Sequence, residues 1–270
     1  MKRVKFRPFT KDDKKSVRLE KAPLELLMVQ MRWPTHNALV HDFEQHVSRL
    51  AQHLDDYPLS EPARDISVNL TSDGVRASEG EKVYHYYSVD NIWDLHVTSH
   101  SVTLSFDPRY KGYGFSDVYE RFLKLLEAVK DSFGVLQANR LGVRYINRIT
   151  DEKVIGDISN AFKPQVIGYQ DLLLQDEIEL VTTMNQAVFQ VEDISLNVRT
   201  GVVPPYQTPD RALKPVDTRS WVLDLQAVST QNLSTQGTDI QNAVNRLSDT
   251  CYDFFKYVLL DEGEEKFGGK

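Results

Sequence analysis

Cysteine is nearly absent. Cys251 is the single one in 270 residues, which excludes an internal disulfide framework and points to a reducing compartment. Long apolar runs are absent too: none approaches the roughly 20 residues that a helical membrane span requires, so no membrane association is expected. The opening residues, "MKRVKFRPFTKDDKKSVR", are basic but hold no apolar stretch and do not resemble an export signal. Together these absences give the expectation of a cytoplasmic protein.

The patterns that announce common chemistries are missing as well. Neither the phosphate-cradling G-x-x-x-x-G-K-[ST] nor the G-x-S-x-G nucleophile elbow occurs. Cys251 falls in register with apolar helix positions and reads as a small core hydrophobe. Of the seven histidines, His46 and His53 could share a helix face. Two ligands without cysteine support are a weak zinc pattern, and neither a metal nor a cofactor is expected. Carboxylate pairs such as Asp55–Asp56 and Glu177/Glu179 fall in turns or exposed strand positions, where nothing sets their environments apart as acid–base work requires. These gaps favour binding over catalysis.

What is present is an uneven charge distribution. The net charge is −7, yet residues 1–21 hold nine Lys/Arg against three Asp/Glu. A basic N-terminal arm on an acidic body could reach an acidic partner or nucleic acid. Tyr84–Tyr87, Trp93 and "YKGYGF" add aromatic rings of the kind that stack on single strands, although tyrosine also favours strands for its own sake.

Behind the arm, Leu24–Trp33 reads as a strand. A helix follows, capped at Thr35, with Leu39, Phe43, Val47, Leu50 and Leu54 on one apolar stripe. The segments "DISVNL", "EKVYHYYS", "IWDLHVTSH" and "SVTLSF" alternate as strands do. The next helix is capped at Ser116, carries the stripe Val118, Phe122, Leu125, Val129, Phe133 and stops at Gly134. The second half reads as the strand "VLQANRLGVRYINRI", a short helix "GDISNAFKP" ended by Pro164, the strands "EIELVTTM", "AVFQVE", "ISLNVRT" and "SWVLDLQAV", and a closing helix. Ile240, Val244, Leu247, Cys251, Phe254 and Val258 form the stripe of that helix. The expected fold is α+β: antiparallel sheet with long helices packed on one face and a polar face open. Its expected organisation is a basic arm (1–21), two similar β-α-β(n)-α halves (22–134 and 135–260) and an acidic, Gly-containing tail (261–270).

The segments "APLELLMVQMRW", "SVTLSFDPRY" with the long helix after it, and above all "RLGVRYINRI" resemble the recurring segments of a sporadically distributed family of uncharacterised bacterial proteins. The resemblance runs from about residue 22 to the final helix. It implies a bacterial cytosolic protein. A patchy distribution is common among genes that travel with mobile elements and phage defence, which is an association and not a mechanism.

"RLGVRYINRI", Arg140 to Ile149, poses its own question. Residues two apart share a strand face, so Leu141, Val143, Tyr145 and Ile149 point one way while Arg140, Gly142, Arg144, Ile146 and Arg148 point the other. The second set is a ladder of side chains about 7 Å apart, with a guanidinium at every other rung. Asn197 and Arg199 in one strand and Asp224 and Gln226 in another could join that face. Two outcomes are open. The arginines could be satisfied by neighbouring carboxylates, with Asp224 and Glu179 as candidates. Or Arg140, Arg144, Arg148, Arg199 and Asn197 could form a surface that recognises anions or an acidic partner. The proline-rich stretch Thr200–Arg219 is unusually long for a strand connection, and Tyr206 and Arg211 are its candidate contacts. The expected function is a non-catalytic binding protein (an adaptor, inhibitor or sensor subunit working with a partner protein). A nucleic-acid binder and a nucleotide or small-molecule module are the alternatives.

Overall fold

The computed structural model describes residues 4–12, 19–35, 37–71, 74–108, 114–172, 178–208 and 210–269, without the side chains of residues 38 and 64–80. Residues 110–113 of the aromatic "YKGYGF" stretch, Glu177 and Pro209 therefore lie outside the described residues.

In chain order the elements are β1 (Leu24–Arg32), α1 (Asn37–His41), α2 (Phe43–Ala51), β2 (Leu59–Thr71), β3 (Gly74–Tyr87), β4 (Trp93–Thr98), β5 (Ser101–Phe106), α3 (Phe115–Phe133), β6 (Gln137–Ala138), β7 (Arg140–Ile149), α4 (Glu152–Gly156), α5 (Ile158–Ala161), α6 (Pro164–Ile167), β8 (Asn185–Val191), β9 (Ile194–Val203), β10 (Ser220–Ser229), β11 (Leu233–Ser234), α7 (Asp239–Val258) and α8 (Asp261–Lys266). The fold is α+β. Among the described residues nine strands form one sheet in the order β2-β3-β4-β5-β1-β7-β10-β9-β8, and β6 and β11 pair separately.

The chain divides into two compact units that are discontinuous in sequence. One holds residues 1–27, 143–229 and 245–270, and the other holds 28–142 and 230–244. The expected division into consecutive halves is replaced by this interleaving, because β1, β7 and α7 each change unit part-way along.

The second unit (28–142 and 230–244) follows its pattern closely. In β4, Trp93, Leu95 and Val97 are buried while Asp94, His96 and Thr98 are half-exposed, the alternation of a sheet with one covered face. The α3 stripe is buried as expected, and Gly134, at φ 65°, ends the helix in the left-handed conformation that glycine tolerates best. Its start differs from expectation. Gly114 rather than Ser116 takes the capping position, and the Asp117 carboxylate accepts the Gly114 N–H at 2.7 Å. The expected Thr35-capped helix is two helices, broken at Asp42. Trp93 and Tyr86 are buried, and the Trp93 ring stacks on Phe106, so these two rings are core and not a nucleic-acid platform. His46 bonds the Ser132 carbonyl through Nδ1 at 2.7 Å and stacks on Phe133, a structural role.

In the first unit (1–27, 143–229 and 245–270) four expectations change. The described part of the basic arm is not free. Asp249 and Asp253, buried on α7, accept the backbone N–H groups of Phe6 (2.9 Å), Phe9 (2.7 Å) and Thr10 (3.1 Å). Arg7 is buried between the same carboxylates, 3.6 and 3.9 Å away, and Phe9 packs edge-on against Phe254. A basic, aperiodic segment is thus part of the body because two helix carboxylates need its donors. The acidic tail is likewise ordered: it forms α8, and Gly263 lets that helix approach the Ala161 carbonyl so closely that a Cβ would sit 2.3 Å from it. Residues 178–184 form no strand. They cross Gly201, where the Thr183 N–H reaches the Val202 carbonyl at 3.2 Å. Pro164 begins α6 instead of ending a helix, a position where its missing N–H costs nothing.

The polar sheet face is not uniformly open. Every residue of β5 is buried, as are the first six of β10, Asp224 included.

Candidate functional site

Part of β7, from Arg144 to Arg148, meets the proline-rich loop between β9 and β10, residues 204–219, through its even-numbered residues. Three successive ones take three successive anchors from it. Arg144 donates to Asp210 Oδ2 at 2.6 Å, Ile146 packs with Leu213, and Arg148 donates to the Lys214 carbonyl at 2.7 Å. Leu213 closes a small second core with Ile146, Val203 and Val222. The loop is therefore a strap lying along β7, and it accounts for two of the three arginines and for the isoleucine between them.

The strap is also closed on itself. The Tyr206 N–H bonds the Val216 carbonyl at 2.7 Å and pins its neck. Asp210 makes an Asx-type turn by accepting the Ala212 N–H at 2.9 Å. Tyr206 takes φ 61°, unfavourable for a non-glycine residue, and its side chain is left outside: the residue is 76% exposed. Arg211 is exposed beside the Asp210 turn.

Beneath the strap the register builds a transverse row. Asp224 of β10 stands opposite Arg199 of β9, and Gln186 of β8 stands opposite Arg199 in turn. Arg144 grips Asp224 with Nε and an Nη, both at 2.8 Å. Arg199 reaches the same carboxylate at 2.9 and 2.5 Å and Asp210 at 3.2 Å. Asn197 accepts from Gln186 at 3.0 Å. These residues, with Gln226, line a polar pocket of about 290 Å³. Two guanidiniums face two carboxylates, so the pocket carries no net charge.

The electrostatics follow from that pairing. Burial alone would raise the Asp210 carboxyl. Hydrogen bonds from Arg144 and the Ala212 N–H, with the Arg144 charge and a bond from Arg199, bring it below the usual carboxylate range. Burial would likewise lower Arg144, but the bonds and charges of Asp224 and then Asp210 raise it above its ordinary value, so it stays charged. Cys251 lies in the core, where burial pushes its thiol up and away from nucleophile chemistry.

Arg140 does not belong to this group. It lies in the other unit, donates to Gln30 Oε1, and has no carboxylate at ion-pairing distance among the described residues. Burial and the neighbouring Arg32 lower its pKa. Arg32 itself lies 2.8 Å from His100 Nε2, and His100 Nδ1 lies 2.9 Å from Glu81. The ladder of three arginines is thus not one site: Arg144 joins Arg199 and Asn197, Arg148 is buried under the strap with Glu25 at 3.1 Å, and Arg140 stands apart with Arg32.

Sequence reasoning named Asp224 as a partner but missed Asp210, which is distant along the chain and sits in a loop. Its one signal was the "PDRA" turn, where Asp can bond an N–H two residues on. Also missed was a meeting of His85, Asp94 and His96, whose donor atoms lie within 4.8 Å of one another. The legible sign was Asp94-x-His96, which places two ligand types on one strand face. The chain matches no family model and no curated protein.

Proposed function

We propose that the protein is a non-catalytic binding protein that engages a partner protein through the strap, with Tyr206 and Arg211 as the contacting side chains. The observation that carries this reading is a contrast. The strap is fastened from below by Arg144, Ile146 and Arg148, yet it holds a large aromatic residue in an unfavourable backbone conformation and leaves it in solvent. A fastened loop loses little entropy on binding, and Tyr and Arg are residue types enriched in interface hot spots. The neutral Arg–Asp pocket supports this division of labour, since its charges are spent on holding Asp210.

Affinity capture from the source organism with wild-type and Tyr206→Ala/Arg211→Glu protein tests the reading. Specific protein partners captured by the wild type should be lost from the double variant, with melting temperature unchanged because both side chains are exposed. An identical capture profile overturns it.

Arg140 favours a second reading, in which an acidic group, carboxylate or phosphate, docks at the Arg32–Arg140 pair. Oligonucleotide binding that weakens steeply with salt and disappears in Arg140→Glu would select this reading.

A further inference from the structure

We propose that His85, Asp94 and His96 form a binding site for a zinc-class divalent transition metal, independent of the strap. The β3–β4 ladder sets His85 directly opposite His96 and Tyr87 directly opposite Asp94. Opposed residues share a sheet face, and so do residues two apart, so two imidazoles and a carboxylate come together on one patch. The histidine ring centroids are 3.9 Å apart, and His96 Nε2 lies 2.7 Å from Asp94 Oδ2. One ligand atom from each residue falls within a 4.8 Å circle. Ligands of a tetrahedral zinc lie about 3.4 Å apart, given metal–nitrogen bonds of about 2.0–2.1 Å, so modest side-chain rotation closes the set.

A second observation points to a cation. The other oxygen of the carboxylate, Asp94 Oδ1, is buried and has no hydrogen-bond partner among the described residues. A buried carboxylate oxygen without a donor is costly, and a cation at the site would satisfy it. Glu61, opposite His85 on β2, adds negative charge at the same patch. The opposite face of β4 is core (Trp93, Leu95, Val97), so the strand that carries two of the ligands is held firmly. Asp94 and His96 have side chains 34% and 37% exposed, so a metal can enter from solvent.

The donor set decides the metal class. Two imidazoles and a carboxylate suit zinc, cobalt or ferrous iron and are too nitrogen-rich for calcium or magnesium. Three protein ligands leave a coordination position open to water or to a ligand from outside.

The test titrates full-length protein, freed of metal by chelator dialysis, with Zn²⁺ in a calorimeter and with Co²⁺ by visible absorption. The expected result is one saturable site with micromolar or tighter affinity and a rise in melting temperature. His85→Ala and His96→Ala should weaken it at least a hundredfold and Asp94→Asn at least tenfold, while His53→Ala leaves it unchanged. Melting of each variant without metal checks the fold, and His96→Gln serves where Ala loosens the hairpin. No saturable metal, or an isotherm that His85→Ala and the His96 variants leave unchanged, overturns the proposal.

Discussion

Replacing Arg144 by Met removes one guanidinium and little volume. In the wild type that group makes two bonds to Asp224 and one to Asp210, with its side chain 14% exposed and that of Asp224 6%. Removing one partner of a well-buried ion pair costs about 3–5 kcal/mol, because the remaining charge stays inside. Here Arg199 still reaches both carboxylates, at 2.5 Å to Asp224 and 3.2 Å to Asp210, so part of the cost is offset. The expected loss is about 2–3 kcal/mol, or a fall in melting temperature of about 4–12 °C for a chain of this size. The loss should be local before it is global. Asp210 would be held through Arg199 alone, the strap would loosen, and trypsin should cut after Arg211 faster in Arg144→Met than in the wild type. Asp210→Ala should raise the cleavage further while costing less global stability, since it leaves the Arg144–Asp224–Arg199 pairing in place. A double-mutant cycle with Asp224→Leu should show a coupling above 1 kcal/mol, as about 0.5–3 kcal/mol is usual for residues that touch. An Arg144→Met protein that melts within about 0.5 kcal/mol of wild type, as exposed surface changes do, and is cut at the wild-type rate would refute the strap account.

The strap should also respond to acid. The Asp210 carboxyl sits below its unfolded value, so its contribution is complete above pH about 4 and is lost as pH falls through the folded value. The Tyr206 amide should therefore lose protection from exchange, relative to intrinsic rates, only in acid, and Asp210→Asn should abolish that step. Deleting residues 1–12 should destabilise the protein by several degrees, because Asp249 and Asp253 would lose the donors that hold them; an unchanged thermal melt would mean that water replaces the arm at no cost. Phe122→Ala, at a fully buried position of α3, should cost about 3–5 kcal/mol in urea unfolding, and a loss under 1 kcal/mol would show that the helix face was misassigned.

Periodic elements were legible in the sequence because burial imposes period. The stripes of α3 and α7 are buried residue for residue, and the β7 face assignment places Arg144, Ile146 and Arg148 together as expected. What was illegible depends on distant partners. Nothing in "MKRVKFRPF" indicates that Asp249 and Asp253 are waiting for its N–H groups, and an isolated basic run reads as solvated. The arginine ladder was visible as a pattern, but its meaning lay in a loop more than sixty residues on. The His85–Asp94–His96 patch depends on the register of two strands, which a turn fixes and composition does not.

The docking of residues 6–10 against Asp249 and Asp253 has a consequence for synthesis. That segment must wait unpartnered on the ribosome until α7, 243 residues further along the chain at the Phe6–Asp249 contact, has emerged. The unit built from residues 28–142 and 230–244 has all its parts before then. The other unit closes only with contacts of very high sequence separation, the kind that slow folding most. Vectorial synthesis should therefore yield a transient with one unit formed and α7 half-covered, exposing Phe254 and the carboxylates to whatever chaperone is nearby.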